Sequence, residues 1–188
     1  MYRLIKEGEL MELLQLKERE YYNTKKSLID NQLISIDEDK NIIINDNISF
    51  VGKVAKGTKE DYIRIFKESI KELYKQSLPR EHKKLGLFIE LLPYIHFKYN
   101  IICKNPTCNI IEDVDPLSPK EIGEILKEYS NKNNVMVKKK LLSIHIGNKE
   151  AVLYVERFNK KFFAVNPLIY YKGKRIEDLS FLIELFKL

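Results

Sequence analysis

The first third of the chain changes from helical to β-strand spacing of its apolar residues. The leucines of residues 9–14, Leu13 among them, share one face of a short predicted helix, and residues 17–34 continue as a second helix. Residues 33–44 then place two β-branched runs on either side of a polar turn, which predicts a hairpin. Two helices followed directly by a hairpin predict a winged helix-turn-helix module over residues 1–55.

The middle of the chain contains two predicted helices. Residues 59–77 carry an amphipathic stripe, which predicts a linker helix within residues 56–81. The stripe favours packing in a core, and a homodimer seam remains open. Residues 82–96 form a strongly apolar helix that Pro93 bends or ends. The apolar positions predicted to be buried in this helix are Leu85, Phe88, Ile89 and Leu92, and its two histidines, His82 and His96, are predicted to be structural.

The last part of the chain repeats the winged-helix order. Ser118, Pro119 and Glu121 form a helix start with a capping box. A second helix over residues 133–144 should bury Val137, Leu141 and Ile144, and residues 151–167 are predicted to form two strands around a tip at 159–161. This predicts a C-terminal winged helix over residues 82–175 and a final helix over 176–188. The predicted fold class is α+β, mostly helical, with tandem winged helix-turn-helix modules joined by an amphipathic helix.

The positive charge is concentrated in one part of the chain. Residues 1–55 have a net charge of −2, whereas residues 130–161 contain eight basic and two acidic residues and so match the +6 of the whole chain. A concentrated positive face is typical of phosphate binding, although a solvated lysine face is the simpler alternative.

The charge and the predicted elements together indicate which residues would contact double-stranded DNA. Asn and Lys at the start of a recognition helix can read base edges, and basic residues at a wing tip can hold the neighbouring backbone. In the N-terminal module, the acidic wing tip leaves DNA binding and protein binding about equally open. The predicted DNA-binding residues are Asn131, Lys132, Asn133, Asn134, Lys138, Lys139, Lys160 and Lys161 in the C-terminal module, and Arg19, Tyr22, Asn23 and Lys26 in the N-terminal one.

Residues 84–173 also carry a pattern that resembles a known group of proteins. A strand followed by Asn166-Pro167, with Gly173 six residues after the proline, is similar to the end of the wing in winged-helix proteins of Firmicute phages and plasmids, including the plasmid replication protein (RepL) family. The resemblance covers under half of the chain and leaves out the N-terminal module. It implies DNA binding on a mobile element, in transcription regulation or in DNA replication.

Other classes of function have little support in the sequence. The chain lacks a P-loop, GxGxxG, GxSxG and HExxH, so we expect neither an enzyme nor a cofactor or small-molecule substrate. Cys103 and Cys108 are too few for a zinc site unless His96 and a further ligand join them, so we expect reduced thiols and no bound metal. The N-terminus has no apolar signal stretch and no run could cross a bilayer, so cytoplasmic residence without membrane contact is expected.

The function expected from the sequence is therefore sequence-specific binding of double-stranded DNA that controls transcription or replication of a phage or plasmid. Two alternatives remain open: a replication initiator, and an adaptor whose winged helices bind other proteins.

Overall fold

The protein divides into two units. The computed structural model describes residues 4–49, 65–78, 81–126, 134–157, 159–171 and 179–188. Contacts separate the chain into a first unit, Met1–Glu60, and a second unit, Asp61–Leu188. The described residues form seven α-helices and three antiparallel hairpins, so the fold is α+β. In these same ranges, no helix combines the length and the apolarity needed to cross a bilayer.

The first unit begins with a 3₁₀ turn, Glu7–Glu9, that continues into helix α1, Leu10–Leu14. Gln15 ends this helix in the left-handed conformation (φ 53°), and helix α2, Glu18–Asp30, follows after a short turn. Leu10 is buried, but Leu13, which we expected on the same face, is 51% exposed. Leu14, four residues after Leu10, is half-buried, so α1 turns the side of Leu10 and Leu14 towards the interior and leaves Leu13 outside.

The predicted hairpin of the first unit is confirmed. Strand β1, Ile34–Ile36, pairs antiparallel with strand β2, Ile42–Ile44. The backbone before α1 adds to the free edge of β2, since the Ile42 N–H donates to the Ile5 carbonyl at 2.8 Å. Residues 5–6, which precede α1, therefore lie beside strand β2.

The described part of the second unit contains five α-helices and two hairpins. The helices are α3, Lys67–Gln76; α4, His82–Leu91; α5, Pro119–Ile125; α6, Asn134–Leu142; and α7, Ser180–Phe186. The strands are β3, His145–Ile146; β4, Lys149–Glu150; β5, Val152–Arg157; and β6, Lys160–Val165. Strand β3 pairs with β4, and β5 pairs with β6.

Helices α3 and α4 belong to the core of this unit. Leu73 of α3 and Phe88 of α4 are almost fully buried in the same apolar cluster, which favours core packing for the predicted amphipathic stripe. His82 at the start of α4 stacks on Tyr74, with ring centroids 4.1 Å apart. Ile89 was predicted to be buried, but its side chain is 45% exposed. Helix α4 is buried on the side of Leu87, Phe88 and Leu91 instead, which leaves Ile89 outside.

A third segment extends the β5–β6 hairpin. Ile101 and Ala164 form an antiparallel bridge, and the Ile102 N–H donates to the Phe163 carbonyl at 2.9 Å. Residues 101–102 therefore lie beside β6, as residues 5–6 lie beside β2 in the first unit. Helix α4, this segment, α5, α6 and the hairpin follow one another in an order that is compatible with a winged helix.

The β5–β6 hairpin is buried on both of its faces. Tyr154 and Phe163 are opposite each other in register and belong to the larger apolar cluster, which also contains the inner side of α6. Val155 and Phe162, the next pair in register towards the hairpin turn, belong to a second cluster with Leu182 of α7. Since side chains alternate along a strand, each residue of the hairpin is assigned to one of two cores by its register.

A tight turn at residues 96–100 leads into residues 101–102, and the His96 side chain stabilises this turn. Its Nδ1 atom accepts hydrogen bonds from the backbone N–H groups of Lys98 and Tyr99, both at 3.1 Å. Nδ1 therefore carries no proton, and the ring proton on Nε2 donates to the Cys108 carbonyl at 2.8 Å. The ring is fully buried and every nitrogen has a partner, so His96 has the structural role that the sequence predicts.

Candidate nucleic-acid interface

Helix α6 presents one apolar side to the core and one lysine-rich side outward. Val137 and Leu141 are buried, as expected, whereas Lys139 is exposed. The nine residues of α6 contain three lysines and no acidic residue. Asn131, Lys132 and Asn133 lie outside the described residues, and Asn134 is the first residue of the helix.

Helix α5 packs against α6 and has a well-defined start. The predicted capping box is confirmed: the Ser118 side chain accepts from the Glu121 N–H, and the Glu121 carboxylate accepts from the Ser118 N–H at 2.8 Å. Lys104 also contacts this carboxylate at 2.7 Å. The Lys104 ammonium, together with Ser118, lowers the pKa of Glu121 to about 2. The negative charge of Glu121 at the start of α5 is thus balanced by the Lys104 ammonium.

Lys138 connects α6 to the hairpin. Its Nζ atom lies 3.8 Å from the ring centroid of Tyr154 on β5, within the range of a cation–π interaction. Tyr154 in turn packs on Phe163, with centroids 4.6 Å apart. This contact was not foreseen from the sequence. The alternation of apolar residues in β5 was the available signal, because it places Tyr154 on the same hairpin face as the helix.

Lys160 and Lys161, which the sequence groups together, lie on opposite faces of the hairpin. Lys161 is opposite Glu156 in register, on the face that carries Tyr154 and Phe163, and pairs with the Glu156 carboxylate at 3.4 Å. Lys160 lies on the other face. Its ammonium donates to the backbone carbonyls of Glu112 and Val114 at 2.6 and 2.7 Å. Only Lys161 therefore shares a hairpin face with α6.

These contacts predict different effects for two neighbouring substitutions. Lys160→Met should lower the free energy of unfolding by about 2 kcal/mol, because two carbonyls lose a charged donor. Lys161→Met removes one exposed ion pair and should cost less than about 0.5 kcal/mol. Urea-induced unfolding followed by circular dichroism measures both variants. Equal losses for the two would contradict the assignment of their faces.

Arg157, at the end of β5, is held on the α7 side. Its guanidinium contacts the Glu184 carboxylate at 2.7 Å and lies 5.6 Å from the ring centroid of Phe181. Together with the contacts of Lys160, this places two cations of the β5–β6 hairpin on the hairpin face opposite to α6.

In the first unit, the four predicted DNA-binding residues share one exposed side of α2. Arg19 and Lys26 each lie three or four positions from both Tyr22 and Asn23, and all four residues are exposed. Lys25 turns the other way and contacts the Glu7 carboxylate at 2.7 Å. The structure thus brings these four together within their own unit.

The Asn-Pro sequence that carries the family resemblance has a structural role here. The Asn166 side chain accepts from the Leu168 N–H at 2.9 Å and donates to the Glu150 carbonyl at 2.9 Å. Asn166 is fully buried. These contacts fix the turn after β6, so the motif orders the chain that follows the β5–β6 hairpin from inside the unit.

Cys108 and His96, two of the three residues considered for a metal site, are in direct contact. The Cys108 sulfur is 3.4 Å from Nε2 of His96, and Cys103 is fully buried. Burial raises the pKa of the Cys103 thiol to about 12, which opposes the thiolate form that binds zinc. Within the described ranges, no group of three or more His, Cys, Asp or Glu side chains is placed to hold a metal ion.

Comparison with known proteins adds no relative to this picture. No family model matches the chain, and no curated protein or solved structure matches it either. The similarity of residues 84–173 to phage and plasmid winged-helix proteins thus stays a prediction.

Proposed function

We propose that the protein binds double-stranded DNA through its second unit, with α6 as the recognition helix and the β5–β6 hairpin as the wing. The observation that carries the proposal is the outward side of α6, which presents lysines and no acidic residue while Val137 and Leu141 fix the opposite side in the core. An α-helix fits the major groove, and lysines on its exposed side can neutralise phosphates or reach guanine.

The wing contributes orientation in this proposal. The cation–π contact between Lys138 and Tyr154 sets α6 against β5. Lys161 extends the basic surface along the same hairpin face, and its exposed pair with Glu156 can exchange for a phosphate at small cost. Lys160 has its place inside the unit, so we assign it to the stability of the wing. The function is a regulator of transcription or replication of a mobile element, as the resemblance implies.

The test is a salt titration of binding to random-sequence duplex DNA. Each phosphate contact contributes about −0.9 to the slope of log affinity against log salt. The double variant Lys139→Gln, Lys161→Gln should bind more weakly and should flatten this slope by about 1.8.

The matched control for this experiment is Lys187→Gln. Lys187 follows α7, which packs on the other face of the hairpin, and it is exposed. This variant removes a charge of the same kind and should leave the slope as it is in the parent protein. A double variant that keeps the parent's slope would place the contact elsewhere.

A second candidate, binding of a protein, is favoured for the first unit by its exposed apolar residues. Tyr22, Ile44 and Ile48 are each 55% exposed, and residues 1–55 have a net charge of −2. Such a surface suits a protein better than a phosphate backbone.

Selection of bound sequences from random duplexes separates DNA binding from protein binding. An enriched palindrome would indicate a dimeric regulator, direct repeats an origin binder, and no enrichment an adaptor.

A further inference from the structure

Val135, in the first turn of α6, is the most exposed large apolar side chain in the part of the chain that the structure describes. It is 72% exposed, and its neighbour Met136 is 39% exposed. Packing among the described residues of the unit explains neither value, because the apolar contacts of α6 are made by Val137 and Leu141 on the other side. A single exposed apolar residue is ordinary. The setting of Val135 is what makes it informative.

Val135 lies on the same side of α6 as the exposed Lys139. The two residues are four positions apart and therefore stack one turn above the other. A protein partner is a poor match for this side, because lysines are depleted from the centres of protein–protein interfaces. A polyanion that also offers an apolar group matches it well. Duplex DNA is such a ligand: its major groove is lined by phosphates, and each thymine presents one methyl group there.

We infer that Val135 is a specificity-determining residue, which contacts the C5-methyl group of a thymine in the major groove. The inference rests on the proposed function, because it requires α6 to enter the groove. A lysine that contacts only the phosphate backbone does not distinguish one sequence from another, whereas an apolar contact to a methyl group distinguishes thymine from cytosine and the purines. The protein should then prefer sites with thymine at one fixed position in each half-site or repeat.

Deoxyuridine provides a sharp test, because it pairs like thymidine and lacks only the methyl group. The full-length protein first selects duplexes from a random library. The best duplex is then prepared with thymidine and with deoxyuridine at each position in turn. We expect one position at which deoxyuridine weakens binding by about fourfold, the factor that corresponds to burying one methyl-sized group.

Two variants identify the residue responsible. Val135→Ala should bind the thymidine and deoxyuridine duplexes with equal affinity. Ile183→Ala removes an exposed apolar side chain from α7 and should keep the fourfold difference. If Val135→Ala discriminates as well as the parent, another residue reads the methyl group and the inference is overturned.

Two further outcomes separate this inference from the proposed function. Binding with the expected salt slope, but without a deoxyuridine effect at any position, would overturn the role of Val135 and leave DNA binding intact. Failure to bind any duplex of the library would overturn both.

Discussion

Replacing His96 with alanine should lower the free energy of unfolding of the second unit by about 4 kcal/mol. The imidazole is fully buried, so its removal leaves a cavity, which alone costs on the order of 2 kcal/mol. The backbone N–H groups of Lys98 and Tyr99 and the carbonyl of Cys108 also lose their shared partner. Urea-induced unfolding followed by circular dichroism gives the difference.

His96→Asn is the matched control. The asparagine side-chain oxygen can accept from the backbone N–H groups two and three residues later, as Nδ1 of the histidine does, so of the three hydrogen bonds only the link to Cys108 is lost. We expect this variant to lose about half as much free energy of unfolding as His96→Ala. If the asparagine variant is as unstable as the alanine variant, the two Nδ1 contacts are not what stabilises the turn.

The same ring should make stability depend on pH. Burial lowers the pKa of His96 in the folded state, and the nearby Lys98 ammonium acts in the same direction. The unfolded chain has the ordinary pKa of about 6.5 and takes up a proton first, so stability is complete above this pH and declines as the pH falls below it. The slope approaches about 1.4 kcal/mol per pH unit. His96→Asn should remove this slope, whereas a substitution of the exposed His145 by glutamine should keep it.

Asn100→Ala should lower the free energy of unfolding by about 3 kcal/mol. Asn100 is fully buried and has a φ of 51°, a left-handed conformation that costs alanine about 1 kcal/mol. Its side-chain amide donates to the carbonyls of Val165 and Tyr170 at 3.0 and 2.7 Å, and both lose this donor in the variant. Amide hydrogen exchange of the backbone of β5 and β6, compared between the variant and the parent protein, measures this loss of stability.

Asn100→Gly separates the two contributions. Glycine adopts the left-handed conformation without strain, so this variant reports the loss of the side-chain amide alone. It should be more stable than Asn100→Ala by about 1 kcal/mol. Equal stability of the two variants would show that the backbone conformation at this position costs alanine nothing.

Local signals in the sequence predicted the elements, and several of these predictions are confirmed. The capping box of Ser118 and Glu121 is a short-range pattern with one physical solution, and the runs at residues 33–44 and 151–167 both form hairpins. The burial of Val137 and Leu141 followed from helical spacing. These features depend on neighbours within one turn or one hairpin, which a sequence displays directly.

The features that were missed depend on partners far along the chain. Apolar spacing could not show that Leu13 and Ile89 are exposed, because burial is decided by which side of a helix meets the rest of its unit. Lys160 and Lys161 are equivalent in the sequence, and only the register of β6 against β5 separates them. The carbonyls that hold Lys160 belong to a segment almost fifty residues earlier. The candidate interface was thus predictable as a charge pattern, but its geometry was not.

The two-sided burial of the β5–β6 hairpin restricts how this protein can diverge. Inserting or deleting one residue within either strand would exchange the sets of side chains that enter the two apolar clusters, and would move Lys160 away from its carbonyls. Within the hairpin, we therefore expect insertions and deletions to be tolerated only between Arg157 and Lys160. Descendants that need a longer reach towards a partner would lengthen this connection alone, and the rest of the hairpin would be inherited with its spacing unchanged.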